Sequence, residues 1–514
     1  MRERWVLAGV VVLLLGFGTF VGHATYREWT ARDWLVRGDD LYRAGHYHSA
    51  LAAYDQGQTL KPSPEARERI KLAETTIMDQ APGGPGGDPA RARLSATKIR
   101  AALAAERFAE VQQSMQDWLT QKTTSPSGYL HAASVLSRTV IDGDTWANKA
   151  VLLTTLDAWV QQDPASSLAR TFRGAYHYGA AWKARGTGWA STVSEQGWAL
   201  MRERLALAAR DLDAASALDP ANPLPSWLLL SAARPMGADP QTMDRHFRRA
   251  LEYDANFFQP YVERLQDLMP KWGGSEEAMF AFARDAVKRA PRGSAIPFLL
   301  VEAHREKGCN IVKDCPAYYR DPAVWAEIQQ VFLRLMEDFP GSALWPSRYA
   351  QAAQVAGRLE VARLYHDLAV QRDPDEFEVR YERGWFFEEY LSDLRGASLE
   401  YLEARRIEPV SLKALNRYGS ILYRTRQWPQ AVAAYSTLIE VAPEDPKAFF
   451  MRASAYYTQH QFREAIEDYS RAIALRPDYQ QAYQWRAKSY QNLGMLEKQQ
   501  EDVRTFKALP PQSE

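Results

Sequence analysis

Six prolines, Pro340, Pro374, Pro409, Pro443, Pro477 and Pro511, stand 34, 35, 34, 34 and 34 residues apart. A fixed period of that length is the signature of one helix pair repeated end to end. Each pair is too small to bury its own apolar face and stacks on the next. Proline lacks the backbone N–H that a helix interior needs, so each member of the ladder marks where a second helix stops. The expected fold is all-α, a helix-turn-helix repeat solenoid, with residues 341–514 as its regular array.

One period shows how the pair is built. In residues 446–479, Phe449, Arg452, Ala453 and Tyr456 fall on the first helix, and Ala465, Tyr469, Ala472 and Pro477 on the second. Ala453 and Ala465 let the helices approach, and the two tyrosines fill the space around them. The preceding period repeats the scheme with Leu415, Tyr418, Gly419, Leu422, Ala431, Tyr435, Leu438 and Pro443. These units resemble the tetratricopeptide repeat family. The resemblance implies a right-handed superhelix of antiparallel helix pairs whose concave side binds a peptide or protein.

The array is preceded by more of the same chemistry, less regularly spaced. Residues 31–64 carry another full repeat, with Trp34, Arg37, Gly38, Leu41, Ala50, Tyr54 and Pro62, followed by a further amphipathic stretch with Ile70, Ala73 and Ile77. A single repeat does not stand alone, so residues 25–78 must lean on a second copy, a later part of the chain or a partner. Residues 79–90 are dense in Gly and Pro and read as a linker, with a span of about 17 to 21 Å if flexible. From residue 91 to 340 apolar residues recur at helical spacing without the clean period, a diverged helical-repeat region. Within it Ala208, Leu212, Ala215 and Pro220 again have second-helix spacing. In the stretch 185–198, Thr192 and Glu195 read as a capping box, and in Met269–Glu277 Ser275 reads as an N-cap. Together these two stretches resemble an uncharacterised bacterial domain that accompanies tetratricopeptide repeats.

The N-terminus is of another kind. An uncharged run from Trp5 to Gly22 follows Arg2 and Arg4. Eighteen helical residues rise about 27 Å, enough to cross a bilayer core. Residues 1–24 therefore read as a transmembrane anchor through residues 5–22. A cleaved signal peptide ending near Gly22-His23-Ala24 is the alternative. Either way the bulk is expected beyond the inner membrane, periplasmic or otherwise extracytoplasmic, with the anchored form single-pass. Cys309 and Cys315 enclose five residues. In an oxidising compartment they can close a small disulfide ring, and in the cytosol they would stay free.

Basic and acidic residues both number 63, so no net field draws the chain to nucleic acid. There is no His-Glu-x-x-His, no phosphate-cradling Gly-rich loop and no Gly-x-Ser-x-Gly turn. The nine histidines are scattered, and His131, His177, His246, His304, His366 and His460 fall within helical pattern as surface or core residues. His46 and His48 read as solvated turn residues. No enzyme, cofactor or metal site is expected. The alternative is a cell-envelope enzyme or enzyme-modifying subunit with a site in the middle region, near Trp182 to Trp198.

Binding is the better-supported role, and the family resemblance implies where. Its groove positions fall here on Lys413, Asn416, Arg417, Tyr423 and Arg424 of one first helix, Lys447, Phe450 and Tyr457 of the next, and Trp485 and Lys488 of the last. That is a groove with cations at its rim and aromatics inside, suited to an extended peptide or protein segment bearing carboxylates and an apolar anchor. The preceding unit offers Glu378, Glu388 and Glu389 instead. The 35-residue step from Pro374 to Pro409 places one extra residue between Gly384 and Ala397, where the lining changes from acidic to basic. Self-association through the N-terminal repeat is a further possibility.

Overall fold

In a computed structural model of the chain, the residues described are 31–44, 46–79, 88–141, 149–186 and 192–509. They are helical apart from short connections. The exception is one isolated bridge between Thr124 and Leu130. The chain divides into two compact units, one ending at Arg372 and one beginning at Asp373.

Among the described residues the second unit contains four helix pairs. They are Phe377–Glu389 with Leu394–Ile407, Leu412–Arg424 with Trp428–Val441, Pro446–Thr458 with Phe462–Leu475, and Gln480–Asn492 with Leu496–Ala508. Each pair is closed by small residues facing large ones. A Cβ on Gly419 would come within 2.9 Å of the Tyr435 ring, so the helices can cross at this depth only because the side chain is absent. Ala453 and Ala465 are fully buried with Tyr469 in one cluster one period later. Pro409, Pro443 and Pro477 each stand two residues beyond the last helical residue of a second helix. The inter-helix turns have a second periodic mark. Ser392, Arg426, His460 and Gly494 have φ of +53°, +61°, +60° and +71°. His460, read from sequence as helical, is therefore a turn residue in the left-handed region. The turn 390–393 has four residues and the turns 425–427 and 459–461 have three, which accounts for the 35-residue step.

A buried polar staple ties successive pairs together. Arg452 donates to both Asp468 oxygens, at 2.7 and 2.8 Å, and to Ser436 Oγ of the preceding pair at 3.0 Å. Thirty-four residues on, Arg486 repeats this with Asp502 at 2.8 and 2.7 Å and Ser470 at 2.9 Å. The last helix, Leu496–Ala508, buries only Asp502, as expected of a terminal element with a solvated outer face.

The first unit holds the irregular helices. One core cluster gathers residues from Ala96 to Phe257, with Phe108 stacked on Trp159. The helices Ser167–Arg185 and Glu195–Leu218 form its longest pair, and Ala208, Leu212 and Ala215 are buried in it. Ser194 caps the second of these by accepting from Gly197 N, so the cap falls two residues after Thr192 and Glu195 opens the helix. Ser275 does cap Glu276–Arg289, accepting from Ala278 N. The helix before the Gly/Pro stretch runs to Asp79 and the next begins at Asp88. Pro89 is tolerated there because the first turn of a helix needs no N–H at that position.

The N-terminal repeat leans on a later part of its own unit. Ser49 donates to Glu337 at 2.7 Å, Arg358 to Asp55 at 3.1 Å, and His48 Nδ1 lies 3.1 Å from the Tyr365 hydroxyl. His48 is thus a half-buried helix residue rather than a solvated turn residue, and burial with the nearby Arg372 charge pushes it down to about 3. Cys309 and Cys315 are joined in a disulfide, with Cα atoms 4.4 Å apart. No helix among the described residues is long and apolar enough to cross a membrane. The expected anchor, residues 5–22, lies outside the described residues.

Candidate functional site

The first helices of the four C-terminal pairs place the sequence-predicted groove residues in two groups of different character. The group nearer Asp373 is charged and internally neutralised. Lys413 Nζ lies 2.8 Å from both oxygens of Glu378 and over the Tyr381 ring at 4.5 Å. Arg417 donates to Glu389 at 2.9 Å and Glu388 at 3.3 Å, and Arg424 to Glu388 at 2.5 Å. Glu388 is buried and also accepts from the Tyr401 hydroxyl at 3.0 Å. The acidic-to-basic junction is therefore a set of inter-helix ion pairs. Glu378 and Lys413 are separated by one 35-residue step and occupy the same position on adjacent first helices. Their opposite charges at equivalent positions were the sequence signal for this pairing.

The second group is aromatic. Tyr457 meets Trp485 edge to face at 5.2 Å, and Lys488 Nζ stands 3.8 Å over the Trp485 ring. The attraction of the ammonium to the ring quadrupole holds this side chain across the aromatic face. Asn492 Nδ2 donates to the Tyr457 hydroxyl at 3.4 Å. Asn492 was missed from sequence although it repeats the register of Arg424 and Thr458 at 34-residue steps. Lys447 and Lys488 have no ion-pair partner among the described residues. Phe450 is half-buried, 5.5 Å from Tyr469 and 5.0 Å from Tyr479, and packs against the same core cluster as Tyr457 and Trp485. Tyr423 is half-buried against the neighbouring cluster, and burial raises its hydroxyl pKa. Asn416 is half-buried. The structure thus brings together Tyr457, Trp485, Lys488 and Asn492, with Phe450 packed beneath the same cluster of first helices.

Around Trp182 and Trp198 the Arg185 guanidinium lies 5.7 and 5.4 Å from the two rings, and both rings pack on a core with Met201 and Leu205. The Trp182 ring also meets Tyr178 at 6.4 Å, and Arg234 pairs with Asp267 at 3.0 Å and Glu263 at 3.6 Å. A further polar cluster is a chain of hydrogen bonds, Tyr318 hydroxyl to His304 Nδ1 at 2.8 Å and His304 Nε2 to Glu327 at 2.9 Å. Arg284 donates to Glu327 at 3.0 Å, and the cluster opens on a cleft of about 730 Å³. Burial holds the His304 pKa down, while burial and the Glu276 and Glu327 charges push Tyr318 up to about 12. The hydrogen bonds to Tyr318 and Glu327 fix the orientation of the His304 ring, and burial favours its neutral form. No group of three or more metal-ligating side chains occurs among the described residues.

Residues 95–241 match the model of a domain of unknown function, DUF4034. The match covers the 185–198 stretch and not the turn at 269–277. Residues 419–479 and 450–497 match the tetratricopeptide repeat model. Among solved structures the chain is similar to one titled as the crystal structure of MamA protein, at 16% identity over 32% of this chain and 89% of that one, with a TM-score of 0.31. It is similar to MamA from Desulfovibrio magneticus RS-1 at 20% identity over 32% and 94%, TM-score 0.31. It is also similar to YrrB, titled a TPR protein with an unusual peptide-binding site, at 18% identity over 34% and 90%, TM-score 0.32. A comparison with curated proteins finds no match. The helix pair carrying Tyr457 and the helix Gln480–Asn492 carrying Trp485 thus fall within the tetratricopeptide matches, which end at residue 497.

Proposed function

We propose that this chain is a scaffold or adaptor that binds a protein or peptide segment along the first-helix face of its C-terminal repeats. The observation that carries the reading is the Tyr457–Trp485–Lys488 assembly, a half-buried aromatic pair with the Lys488 ammonium over the Trp485 ring and no ion-pair partner for Lys488 among the described residues. Aromatic anchors in a partly desolvated recess carry most of the energy of peptide recognition, and free ammonium groups select carboxylates. The Lys413, Arg417 and Arg424 end contributes less, because its cations already face Glu378, Glu388 and Glu389. The ligand this arrangement suits is an extended segment with an apolar or aromatic side chain and at least one carboxylate.

Within this reading, residues 5–22 hold the protein in the inner membrane and the repeats lie outside the cytoplasm. A C-terminal reporter active only outside the cytoplasm tests that topology. A photo-crosslinking side chain placed at Gln484 tests the groove, with one at the outer-face residue Leu399, which is 64% exposed, as control. The expected result in intact cells is a discrete adduct from position 484 that disappears with Trp485→Ala and Tyr457→Ala. Losing one such anchor corresponds to about 2 kcal/mol, roughly thirtyfold in affinity. Equal adducts from both positions, or adducts insensitive to these substitutions, would overturn the proposal.

A further inference from the structure

We infer that the middle domain carries a binding site for a neutral polyhydroxylated ligand, a saccharide, in a cavity formed where three inter-helix connections meet. The cavity has a volume of about 420 Å³ and opens between the end of helix Phe108–Thr120 and the turns at 163–166 and 219–222. That size lies within the range of small-ligand sites. It falls within the residues matched by the domain of unknown function, apart from Tyr253 on its edge.

The chemistry of the wall selects the ligand class. Six uncharged hydrogen-bonding side chains line it, Gln112, Gln116, Thr120, Ser166, Ser167 and Asn222, together with the carboxylates of Asp163 and Asp219. None of the lining residues is Lys, Arg or His, and two carboxylates repel an anion. A cation is disfavoured from the other side. The helices Ser167–Arg185 and Pro223–Ala233 both begin at this wall, and their N-terminal ends carry partial positive charge. An apolar ligand would cover Gln116, Thr120 and the two carboxylates without offering them partners. A ligand whose hydroxyls each donate and accept satisfies carboxylates and amides together.

The wall is also fixed in advance. Ser166 is 4% exposed, caps its helix by accepting from Ala169 N, and donates to Gln112 Oε1 at 3.1 Å. Ser167 donates to the Ala215 carbonyl at 2.9 Å, and Asn222, also 4% exposed, accepts from Leu224 N at 3.1 Å. With its oxygen engaged, Gln112 keeps its amide hydrogens as donors. Tyr253 donates its hydroxyl to the Leu119 carbonyl, which leaves its ring as an apolar edge to the cavity. Such a network holds donors and acceptors in place without a ligand, so little ordering cost remains on binding.

The test uses the full-length chain in a sugar-free detergent, with maltotriose and tri-N-acetylchitotriose as probes in saturation-transfer NMR and titration calorimetry. The expected result is transfer to the ring protons of at least one saccharide, with affinity reduced about fivefold by Gln116→Ala and by Asp163→Asn, each loss being that of one or two hydrogen bonds to neutral groups. Gln116 is exposed and Asp163 has no ion-pair partner among the described residues, so thermal melts should match the parent. Gln113→Ala, on a residue outside the lining, should leave binding unchanged. Absence of transfer from both saccharides, or transfer unaffected by both lining substitutions, overturns the inference. Binding of spermidine in their place would overturn it equally, by showing that the carboxylates select a cation.

Discussion

His48 illustrates how one side chain reports the docking of a whole element. Half-buried against Tyr365, it stays neutral, and its pKa falls from 6.5 to about 3. The unfolded chain takes up this proton near pH 6.5 and the folded chain does not, so acid favours the unfolded side. The contribution of a neutral His48 is complete above pH 6.5 and is lost progressively as pH falls toward 3, by about 2 kcal/mol at pH 5. Asp55 and Glu74, which face the same pocket, have pKa values raised by burial and act in the opposite sense at lower pH. His48→Gln removes the histidine part alone. Thermal melts of both proteins at pH 7 and pH 5 should show the parent losing more stability than the variant. Equal losses would mean that His48 does not hold this position.

At the scale of the element, the regular pairs are joined by more than apolar contact. Arg452 and Arg486 each bridge two second helices through an aspartate of their own pair and a serine of the preceding one. Arg452→Ala would leave the Asp468 carboxylate, whose side chain is 10% exposed, without its partner, at a cost of about 3 kcal/mol. The pair 412–441 has Tyr418 and Ala434 at the equivalent positions and no such staple. Hydrogen exchange should therefore show Arg452→Ala loosening Pro446–Thr458 and Phe462–Leu475 while Leu412–Arg424 keeps its protection. Uniform loosening of all four pairs would argue that the unit unfolds only as a whole. The staple was legible as a 34-residue recurrence of Arg, Asp and Ser, yet the partner choice depends on which faces meet.

On the scale of the whole molecule, the first unit closes on itself through a repeat that sequence left without a partner. Ser49, Asp55 and His48 meet Glu337, Arg358 and Tyr365 across about 290 to 320 residues. Removing residues 1–79 should uncover the face that includes Tyr349 and Tyr365, both 1% exposed in the intact chain. An exposed apolar face of this kind drives association. Sedimentation should find the chain from residue 91 in larger species than the chain from residue 25. Identical masses would indicate that the N-terminal repeat covers nothing needed for solubility.

The sequence by itself determined the all-helical repeat, the ends of the second helices at Pro409, Pro443 and Pro477, the extra residue near 390 and the cap at Ser275. These follow from backbone rules that act within a turn or two: proline cannot continue a helix, and a serine oxygen reaches only the N–H groups just ahead of it. The tertiary structure decided which charges of the groove remain free, because the pairing of Lys413, Arg417 and Arg424 with Glu378, Glu388 and Glu389 depends on the stacking of adjacent first helices. It also decided that Phe450 packs against the same cluster as Tyr457 and Trp485, that His48 is half-buried against Tyr365, and that Tyr318, His304 and Glu327 form one hydrogen-bonded chain. Those outcomes arise from burial and long-range contact, and neither is encoded in the spacing of residues along a single helix.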